Sequence, residues 1–427
     1  MKTFMLGWEF PPFISGGLGT ACYGLTKAMD KLGIEVIFVL PKAYVNHSAG
    51  NVKILSNPDI TERGVSAGFR SLKFHTIAST LKPYVGEGSY KYHQLIHSKL
   101  GWAKRSRAGL KQSRDIDNYG TDMYSEVCRY AEKAAQIAET EEFDIVHSHD
   151  WMTYPAGIEV SRVSGKPLIV HVHSTEFDRS GEHVNQTVYD IERQGMHAAA
   201  RVIAVSNFTK ELIVRHYSIA PEKVEVVHNA VESDGGNSYQ VSPDKKDKIV
   251  LFLGRITMQK GPEYFLAAAK KVLEIIQNVK FIMAGDGDMM HRIIELAAQL
   301  GIGHKVLFAG FLHGDDVKRA YQMADLYVMP SVSEPFGIAP LEAMRQNVPV
   351  LISKQSGIAE AVVHALKVDF WDIDEMANKI VAVLRRPPLQ ATLCRNDFSE
   401  AHKFRWEDSA KDIRKIYEQT LALCGTV

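Results

Sequence analysis

Two glutamates, Glu334 and Glu342, stand eight positions apart in the segment 331–342, which reads SVSEPFGIAPLE. A Pro-Phe-Gly turn lies between them, followed by an apolar stretch that is typical of the start of a helix. The backbone N–H groups of Gly337 and Ile338 would then lie at a helix N-terminus, where unpaired donors and the helix dipole attract anions. The segment therefore predicts a site for an anionic ligand that also carries hydroxyl groups, such as a nucleoside diphosphate sugar.

A second loop offers two cations, Arg255 and Lys260, after an apolar run at 249–253 and before Gly261 and Pro262. Such a loop between a buried strand and a helix N-terminus suits a phosphate. Two fixed cations would hold a diphosphate leaving group and stabilise the charge that it gains as the glycosidic bond breaks. The usual carboxylate pair of a metal-dependent transferase is not evident, so we expect no metal and no other cofactor.

His173 follows the apolar run 168–172, which reads as a buried strand. Strand C-termini in an open α/β sheet face the ligand crevice, so His173 is a candidate active-site residue. His171 lies two residues earlier on the same strand face and is the alternative. A histidine on an apolar strand can also be an ordinary core residue with its hydrogen bonds satisfied.

Asp150 and Trp151 follow another apolar run, at 145–148. Asp150 is a candidate catalytic carboxylate, and its competing interpretation is a cap for the helix that follows. His147 and His149 alternate with it along the strand. No third and fourth ligands stand nearby in the sequence, so we expect no metal there.

A glycine cluster, Gly16-Gly17-Leu18-Gly19, follows the first predicted strand and opens a helix at 21–31. Backbone amides without side chains can approach a diphosphate closely, so Gly16 and Gly17 are candidate residues for binding the diphosphate of a nucleotide sugar. A dinucleotide-binding dehydrogenase site is disfavoured, because the second strand ends at Pro41-Lys42 without an acidic residue for a ribose hydroxyl. A plain tight turn is the remaining alternative.

Short apolar runs alternate with helical patterns along most of the chain, which predicts doubly wound α/β sheets. Helices are expected at 263–276 and 290–300. The polar, Gly/Ser-rich segment 232–248 has the composition of a linker. It divides the chain into an N-terminal domain at 1–231 and a C-terminal domain at 249–400, with a final helical segment at 401–427. Further strands are expected at 36–40, 145–148, 168–172, 202–205, 249–253, 280–284, 306–308, 325–329 and 350–352.

Composition excludes several classes of protein. The 427 residues suit two domains, and the net charge of +0 gives no reason to expect a nucleic-acid partner. Four scattered cysteines without CxxC spacing argue against a zinc site or a disulfide framework. We expect neither a signal peptide nor a transmembrane helix, no membrane association, and a location in the cytoplasm.

Residues 44–125 give weak strand and helix patterns and contain frequent aromatic residues, among them Trp102. Two interpretations stay open: rings that bury the apolar faces of an acceptor sugar, or an ordinary insertion with surface aromatics. The basic run within 104–114 is interpreted as a solvated helix face. Contact with an anionic lipid or an anionic acceptor is its alternative.

Together these motifs resemble the retaining GT-B glycosyltransferases of family 4. The Glu-x7-Glu spacing resembles the donor-site motif of that family, and the resemblance covers nearly the whole chain in order. Its N-terminal part is similar to the glycogen and starch synthase branch. The further matching segments are 252–261 (FLGRITMQKG, matching G-R-x4-K-G), 284–287 (AGDG), 205–208 (VSNF), 7–19 (GWEFPPFISGGLG) and 149–151 (HDW).

The resemblance implies two Rossmann-like domains that face each other across a cleft, with the last helices packed back on the first. It implies that His173 contacts the transferred sugar, that Asp150 lies near the acceptor, that Glu342 binds the ribose, and that Glu334 orients the sugar or the phosphate. It also implies front-face attack, in which a leaving phosphate oxygen accepts the proton of the incoming hydroxyl. One departure is Ile14, where glucan synthases of this branch carry lysine.

The predicted reaction moves glucose from ADP-glucose or UDP-glucose to the 4-hydroxyl at the end of an α-1,4-glucan. Its partners are then a nucleotide sugar donor and a glucan acceptor. Transfer to a lipid-linked or small-molecule acceptor is the first alternative. A non-catalytic protein that binds sugar nucleotides is an alternative of another class. It is disfavoured because all the candidate active-site residues are present: Glu334, Glu342, Arg255, Lys260 and His173.

Overall fold

The computed structural model describes residues 1–11, 16–43, 69–79, 123–232 and 247–425. Contacts between residues divide the chain into two compact units. Unit 1 comprises Met1–His171, Ile191–Val202 and Arg414–Val427, and unit 2 comprises Val172–Asp190 and Ile203–Ile413. The predicted linker at 232–248 lies mostly outside the described residues, and the domain bounds drawn from it stay a prediction.

The first sheet has seven strands in the order β3-β2-β1-β4-β5-β6-β7. The pairs β1–β2, β1–β4, β2–β3 and β4–β5 are parallel. All five residues of β4 and of β5 are buried, as expected for strands that are covered on both faces. The strands are β1 (Lys2–Leu6), β2 (Glu35–Ala43), β3 (Leu72–Ser79), β4 (Ile145–His149), β5 (Leu168–Val172), β6 (Arg201–Ala204) and β7 (Val224–Val226).

Helices alternate with these strands, as the crossover of a parallel pair requires. Two 3-10 turns, Trp151–Thr153 and Pro221–Lys223, complete the described part of this stretch. The helices are α1 (Gly17–Lys31), α2 (Met123–Ala138), α3 (Tyr154–Ser164), α4 (Glu176–Ser180), α5 (Gln186–Ala198) and α6 (Asn207–Tyr217).

The second sheet has six strands in the order β10-β9-β8-β11-β12-β13, again with parallel pairs. Apolar clusters cover both faces, one containing Phe265 and Ile380 and the other Tyr321 and Leu341. The strands are β8 (Lys248–Leu253), β9 (Val279–Ala284), β10 (Val306–Gly310), β11 (Leu326–Met329), β12 (Val350–Ser353) and β13 (Leu366–Val368).

The helices of this stretch are α7 (Pro262–Ile275), α8 (Met290–Gln299), α9 (Asp315–Met323), α10 (Ile338–Arg345), α11 (Gly357–Ala361), α12 (Ile373–Arg385), α13 (Pro387–Ala401) and α14 (Trp406–Cys424). Short 3-10 turns span Met258–Lys260 and Gly303–Lys305. Within the described residues, none of the helices has the length and apolar character needed to cross a bilayer.

The predicted fold class, two Rossmann-like parallel α/β sheets, is confirmed. Each strand expected from an apolar run is present. Three observed strands had no matching prediction: β3 lies in the weakly patterned region 44–125, and β7 and β13 have three residues each and are only partly buried. The rest of region 44–125, including Trp102 and the basic run, lies almost entirely outside the described residues.

Candidate functional site

The loop after β11 forms the helix N-terminus that the sequence predicts. α10 begins at Ile338, and Gly337 precedes it with a φ of 105°. A Cβ atom at Gly337 would lie 3.1 Å from a methyl group of Ile358 and 3.4 Å from Cγ of Glu334. Both the left-handed backbone and the close contacts favour glycine here, at the residue from which the chain enters the helix.

Glu334 is held rigidly in this loop and is only 7% exposed. Its N–H donates to the Gln355 carbonyl at 3.0 Å, and its carbonyl accepts from Gly357 N–H at 2.9 Å. The Ser331 hydroxyl donates to Glu334 Oε2 at 3.2 Å, and Lys260 Nζ donates to the same oxygen. The two predicted residues Glu334 and Lys260 therefore form an ion pair in unit 2, with Lys260 about 21% exposed.

The ion pair forms because two loops pack backbone against backbone. Strands β8 and β11 are neighbours, so the loops that follow them leave the same edge of the sheet. Gly261 has a φ of 64°, and a Cβ atom there would lie 2.3 Å from the Pro330 carbonyl oxygen. The Val332 N–H also donates to the Gln259 carbonyl at 2.9 Å. The glycine after Lys260 is thus required for the approach that brings the lysine to Glu334.

Arg255 follows β8 after a single glycine, Gly254, and its Nη2 donates to Oε1 of the buried Gln259 at 3.2 Å. Its main chain is packed against the AGDG stretch. A Cβ atom at Gly285, which has a φ of 140°, would lie 1.8 Å from the Gly254 carbonyl oxygen, and one at Gly287 would lie 2.3 Å from the carbonyl oxygen of Ile256. These contacts explain why the two glycine-containing motifs occur together.

Glu342 lies in the second turn of α10, where the buried Tyr321 hydroxyl donates to its Oε2 at 2.9 Å. Tyr327 is also buried, and its hydroxyl donates to the Leu253 carbonyl at 3.1 Å. Burial raises the pKa of both phenols well above the ordinary value; Glu342 raises both further, and Glu334 also raises that of Tyr327. Both tyrosines are therefore uncharged hydrogen-bond donors. The sequence alone did not distinguish them from ordinary aromatic residues of the core.

His173 follows β5 in unit 2 and is partly buried. Burial lowers its pKa from the ordinary value to about 3, so the imidazole is neutral at physiological pH. Two residues later, Thr175 N–H and the Thr175 hydroxyl both donate to Oδ2 of the buried Asp178 at 2.7 Å. The Ser333 hydroxyl donates to Asp178 Oδ1 at 2.5 Å. Asp178 therefore ties the turn after His173 to the residue before Glu334, a link that sequence reasoning missed.

Asp150 in unit 1 has a strained backbone, with φ 59° and ψ 167°. Its N–H donates to the His171 carbonyl at 3.0 Å, and its carbonyl accepts from both the N–H and the hydroxyl of Thr153 at 3.0 Å. The Asp150 side chain makes no capping hydrogen bond to the following turn, so the helix-cap interpretation does not describe it. This region of φ and ψ is one that almost only glycine adopts, and such strain concentrates at functional sites.

His147, His149 and His171 lie together, buried, with ring nitrogens within 4.8 Å of one another. His147 Nδ1 is hydrogen-bonded to the Tyr417 hydroxyl of α14 at 2.5 Å, and His147 Nε2 to His171 Nδ1 at 3.3 Å. Sequence reasoning found no third partner near the first two histidines, and the parallel strands supply it as His171. The rings of His147 and His149 are stacked, with their centroids 4.4 Å apart. The expectation of no metal stays a prediction.

The glycine cluster at the start of α1 contacts a carboxylate of the chain itself. The N–H groups of Gly16 and Gly19 donate to Oε2 of the buried Glu9, at 3.1 and 3.3 Å. The predicted donor contact of Gly16 and Gly17 stays a prediction, and it would have to form beside this carboxylate. Ile14 lies outside the described residues.

Two families match adjoining parts of the chain: residues 237–400 match Glycosyl transferases group 1, and residues 101–234 match Glycosyltransferase Family 4. An uncharacterized glycosyltransferase of Methanocaldococcus jannaschii is 29% identical over 100% of both chains. A D-inositol 3-phosphate glycosyltransferase of Mycobacterium sp. strain KMS is 28% identical over 68% of this chain and 70% of the relative. A glycogen synthase of Mycobacterium tuberculosis is 23% identical over 85% of this chain and 80% of the relative.

Solved structures share the fold over nearly the whole chain. A sucrose-phosphate synthase from Thermosynechococcus elongatus superposes with a TM-score of 0.73 at 19% identity, covering 99% of each chain. The Anabaena protein HepE, solved in complex with UDP-glucose, has a TM-score of 0.69 at 19% identity, covering 98% of this chain and 100% of that one. These likenesses confirm the GT-B architecture.

Proposed function

We propose that this chain, which is a group 1 glycosyltransferase of the GT-B type, moves glucose from ADP-glucose or UDP-glucose to the 4-hydroxyl at the non-reducing end of an α-1,4-glucan, with retention of configuration. The Lys260–Glu334 ion pair beside the N-terminus of α10 is the observation that best supports the binding of a nucleotide sugar donor. It gathers a cation, a carboxylate and backbone donors in one loop pair of unit 2.

Each group has a role in this proposal. The amides at 337–338 and the cations Arg255 and Lys260 bind the diphosphate, and they stabilise its negative charge as the sugar departs. The Glu342 carboxylate accepts from the ribose hydroxyls, oriented by Tyr321. The UDP-glucose complex of HepE, with the same fold, supports a nucleotide sugar as donor.

The neutral imidazole of His173 suits a hydrogen bond to a sugar hydroxyl rather than charge stabilisation. Glu334 orients the sugar or the phosphate through the oxygen that Lys260 and Ser331 contact. Asp150 lies at the end of β4 in unit 1, where we assign it to the acceptor. In this mechanism a leaving phosphate oxygen accepts the proton of the attacking hydroxyl, so no carboxylate nucleophile of the glycosidase kind is required.

The glucan acceptor is supported by the glycogen synthase relative and by the aromatic residues of region 44–125. A small-molecule acceptor is the second candidate, favoured by the relative named D-inositol 3-phosphate glycosyltransferase. Both acceptors use the same donor chemistry, so a product assay separates them.

The test incubates the protein with a panel of nucleotide sugars, with and without maltooligosaccharides, and identifies the products by mass and by the anomeric signal in NMR. We expect chain extension by one hexose at a time, with an α linkage. Lys260→Met is the inactive control. Lys271→Met is the matched control that should remain active. Lys271 also forms an ion pair with a carboxylate, that of Asp374, but both of these side chains are exposed. Transfer only to a lipid-linked or inositol acceptor would overturn the glucan assignment.

A further inference from the structure

The turn that follows His173 is braced by its own side chains. Helix α4 begins with a capping box, in which the Asp178 N–H donates to the Thr175 hydroxyl at 3.4 Å and the Asp178 carboxylate accepts from the Thr175 N–H at 2.7 Å. Glu176 and Arg179 add an ion pair at 3.2 Å, with side chains that are 9% and 23% exposed. Contacts within the turn therefore hold the backbone after His173 in one conformation.

The same turn packs against the loop that carries Lys260. Helix α4 contacts the 3-10 turn Met258–Lys260. A Cβ atom at Gly181, which directly follows α4, would lie 3.9 Å from Cε of Met258. Because Lys260 pairs with Glu334, α4 lies beside one member of the ion pair on which the proposed donor site depends.

A side-chain hydrogen bond joins the turn to the loop that carries Glu334. The Ser333 hydroxyl donates to Oδ1 of Asp178 at 2.5 Å, and Asp178 is buried. Oδ2 of the same carboxylate accepts from the N–H and the hydroxyl of Thr175. Hydrogen bonds to a carboxylate are short and about twice as strong as those between neutral groups. One buried carboxylate thus bonds to both segments at once.

The loop that carries Glu334 has further anchors that do not involve α4. Two main-chain hydrogen bonds hold Glu334 itself. The Pro335 carbonyl accepts from the Ser206 hydroxyl at 2.5 Å and from the Thr209 hydroxyl at 3.2 Å. Removing the hydroxyl of Ser333 should therefore leave the loop folded and change only how the loop is held against α4.

We propose that Asp178 and Ser333 are positioning residues for the transfer reaction, and that their hydrogen bond fixes the position of His173 relative to Glu334. The proposal rests on the proposed function, in which His173 contacts the transferred sugar and Glu334 orients the sugar or the phosphate. A misplacement of about 1 Å can slow a reaction about 10²-fold. Asp178 and Ser333 act through these two residues and do not themselves contact the substrate.

The test measures steady-state kinetics of Ser333→Ala with UDP-glucose or ADP-glucose and maltotriose. We expect kcat to fall at least fivefold, because the sugar is no longer aligned. The donor KM should change less than twofold, because other side chains bind the diphosphate and the ribose. Ser333→Thr keeps a hydroxyl and should restore kcat to within twofold of the wild type.

Ser71→Ala is the matched control. The Ser71 hydroxyl also donates to one oxygen of a buried aspartate, Asp30, at 2.7 Å. Both residues lie in unit 1, whereas His173 and Glu334 lie in unit 2. Ser71→Ala therefore breaks a hydrogen bond of the same kind elsewhere in the protein, and it should leave kcat and the donor KM unchanged.

Hydrogen exchange tests the link without turnover. Peptides that cover residues 174–180 should exchange at least threefold faster in Ser333→Ala than in the wild type, although Ser333 and Asp178 are 155 positions apart. The same peptides should exchange at the wild-type rate in Ser333→Thr and in Ser71→Ala. If Ser333→Ala does not fold, judged by circular dichroism, Ser333→Val replaces it, because valine has the shape of threonine without the hydroxyl.

Wild-type kcat in Ser333→Ala would overturn the proposal, as would a loss that Ser333→Thr does not restore or a change confined to the donor KM. Unchanged exchange of residues 174–180 in Ser333→Ala would also overturn it. If no nucleotide sugar supports any transfer, the proposed function fails. The exchange rates then still decide whether the hydrogen bond between Asp178 and Ser333 holds the turn after His173.

Discussion

Replacing Lys260 by methionine should lower both the stability of the protein and its catalytic rate. A second substitution, Glu334→Gln, should restore the stability but not the rate. Methionine keeps much of the length of the side chain but removes the charge. Glu334 then retains a negative charge, on a side chain that is only 9% exposed, without its countercharge. Changing Glu334 to glutamine as well removes that isolated charge, while the amide can still accept the hydrogen bond of Ser331.

The magnitude follows from burial. Removing one partner of a fully buried ion pair costs about 3–5 kcal/mol, whereas exposed pairs contribute about 0–1 kcal/mol. The Glu334 side chain is 9% exposed and that of Lys260 21%, so the pair is close to the buried limit. We expect Lys260→Met to lower the free energy of unfolding of unit 2 by about 2–4 kcal/mol. The Lys260→Met/Glu334→Gln protein should regain at least half of that loss.

Thermal unfolding with circular dichroism measures the stability, and initial rates with the nucleotide sugar measure the catalysis. Both the single and the double variant should lose about 10²-fold or more in kcat/KM, because the preorganised cation is absent from each. Lys271→Met, in which an exposed pair is broken, should change both quantities little. A double variant less stable than Lys260→Met, or a Lys260→Met protein with wild-type stability and turnover, would refute the ion-pair argument.

Three further predictions concern the same site. Chelator treatment should leave the transfer rate nearly unchanged, because the proposed mechanism has Arg255 and Lys260 neutralise the diphosphate; a loss restored by Mg²⁺ or Mn²⁺ would contradict this. Glu342→Gln should raise the donor KM more than it lowers kcat, since a ribose contact exists in ground and transition states alike; steady-state kinetics showing the reverse would place Glu342 at the reacting centre. His173 has a folded pKa of about 3, below an unfolded value of about 6.5, so the unfolded state binds more protons between these values. The free energy of unfolding should therefore fall as the pH decreases from about 6.5 to about 3, by a few kcal/mol in all. Denaturant titrations at a series of pH values measure this change, which should be smaller in His173→Gln.

The fold was largely predictable because buried parallel strands are continuous apolar runs, and these are visible in sequence. β7 and β13 were not predicted, because each strand has only three residues, which are partly buried and too few to show a periodic pattern. Likewise, the start of α10 at Ile338 followed from local chemistry, since Gly337 and the prolines around it encode a turn and a helix start.

Contacts between distant segments were not predictable in the same way. Lys260 and Glu334 were each singled out, but their pairing over 74 positions depends on β8 and β11 being neighbours in the sheet. Glu9 stands inside a motif that drew attention to its glycines, and only the folded loop shows that its carboxylate contacts their amides. Tyr321 gave no signal at all, because a buried tyrosine on an amphipathic helix has the pattern of any core residue.

The backbone of Asp150 has a consequence for laboratory evolution of this protein. Its φ of 59° and ψ of 167° suit glycine, and the strain of a non-glycine residue there is about 1–3 kcal/mol. Asp150→Gly should therefore raise the melting temperature while transfer activity falls, which calorimetry and rate measurements on one preparation would show; a lower melting temperature would contradict it. Selection for heat resistance alone would enrich such a variant and yield a robust, inactive scaffold. Any screen for a more durable enzyme must accordingly score turnover in the same step.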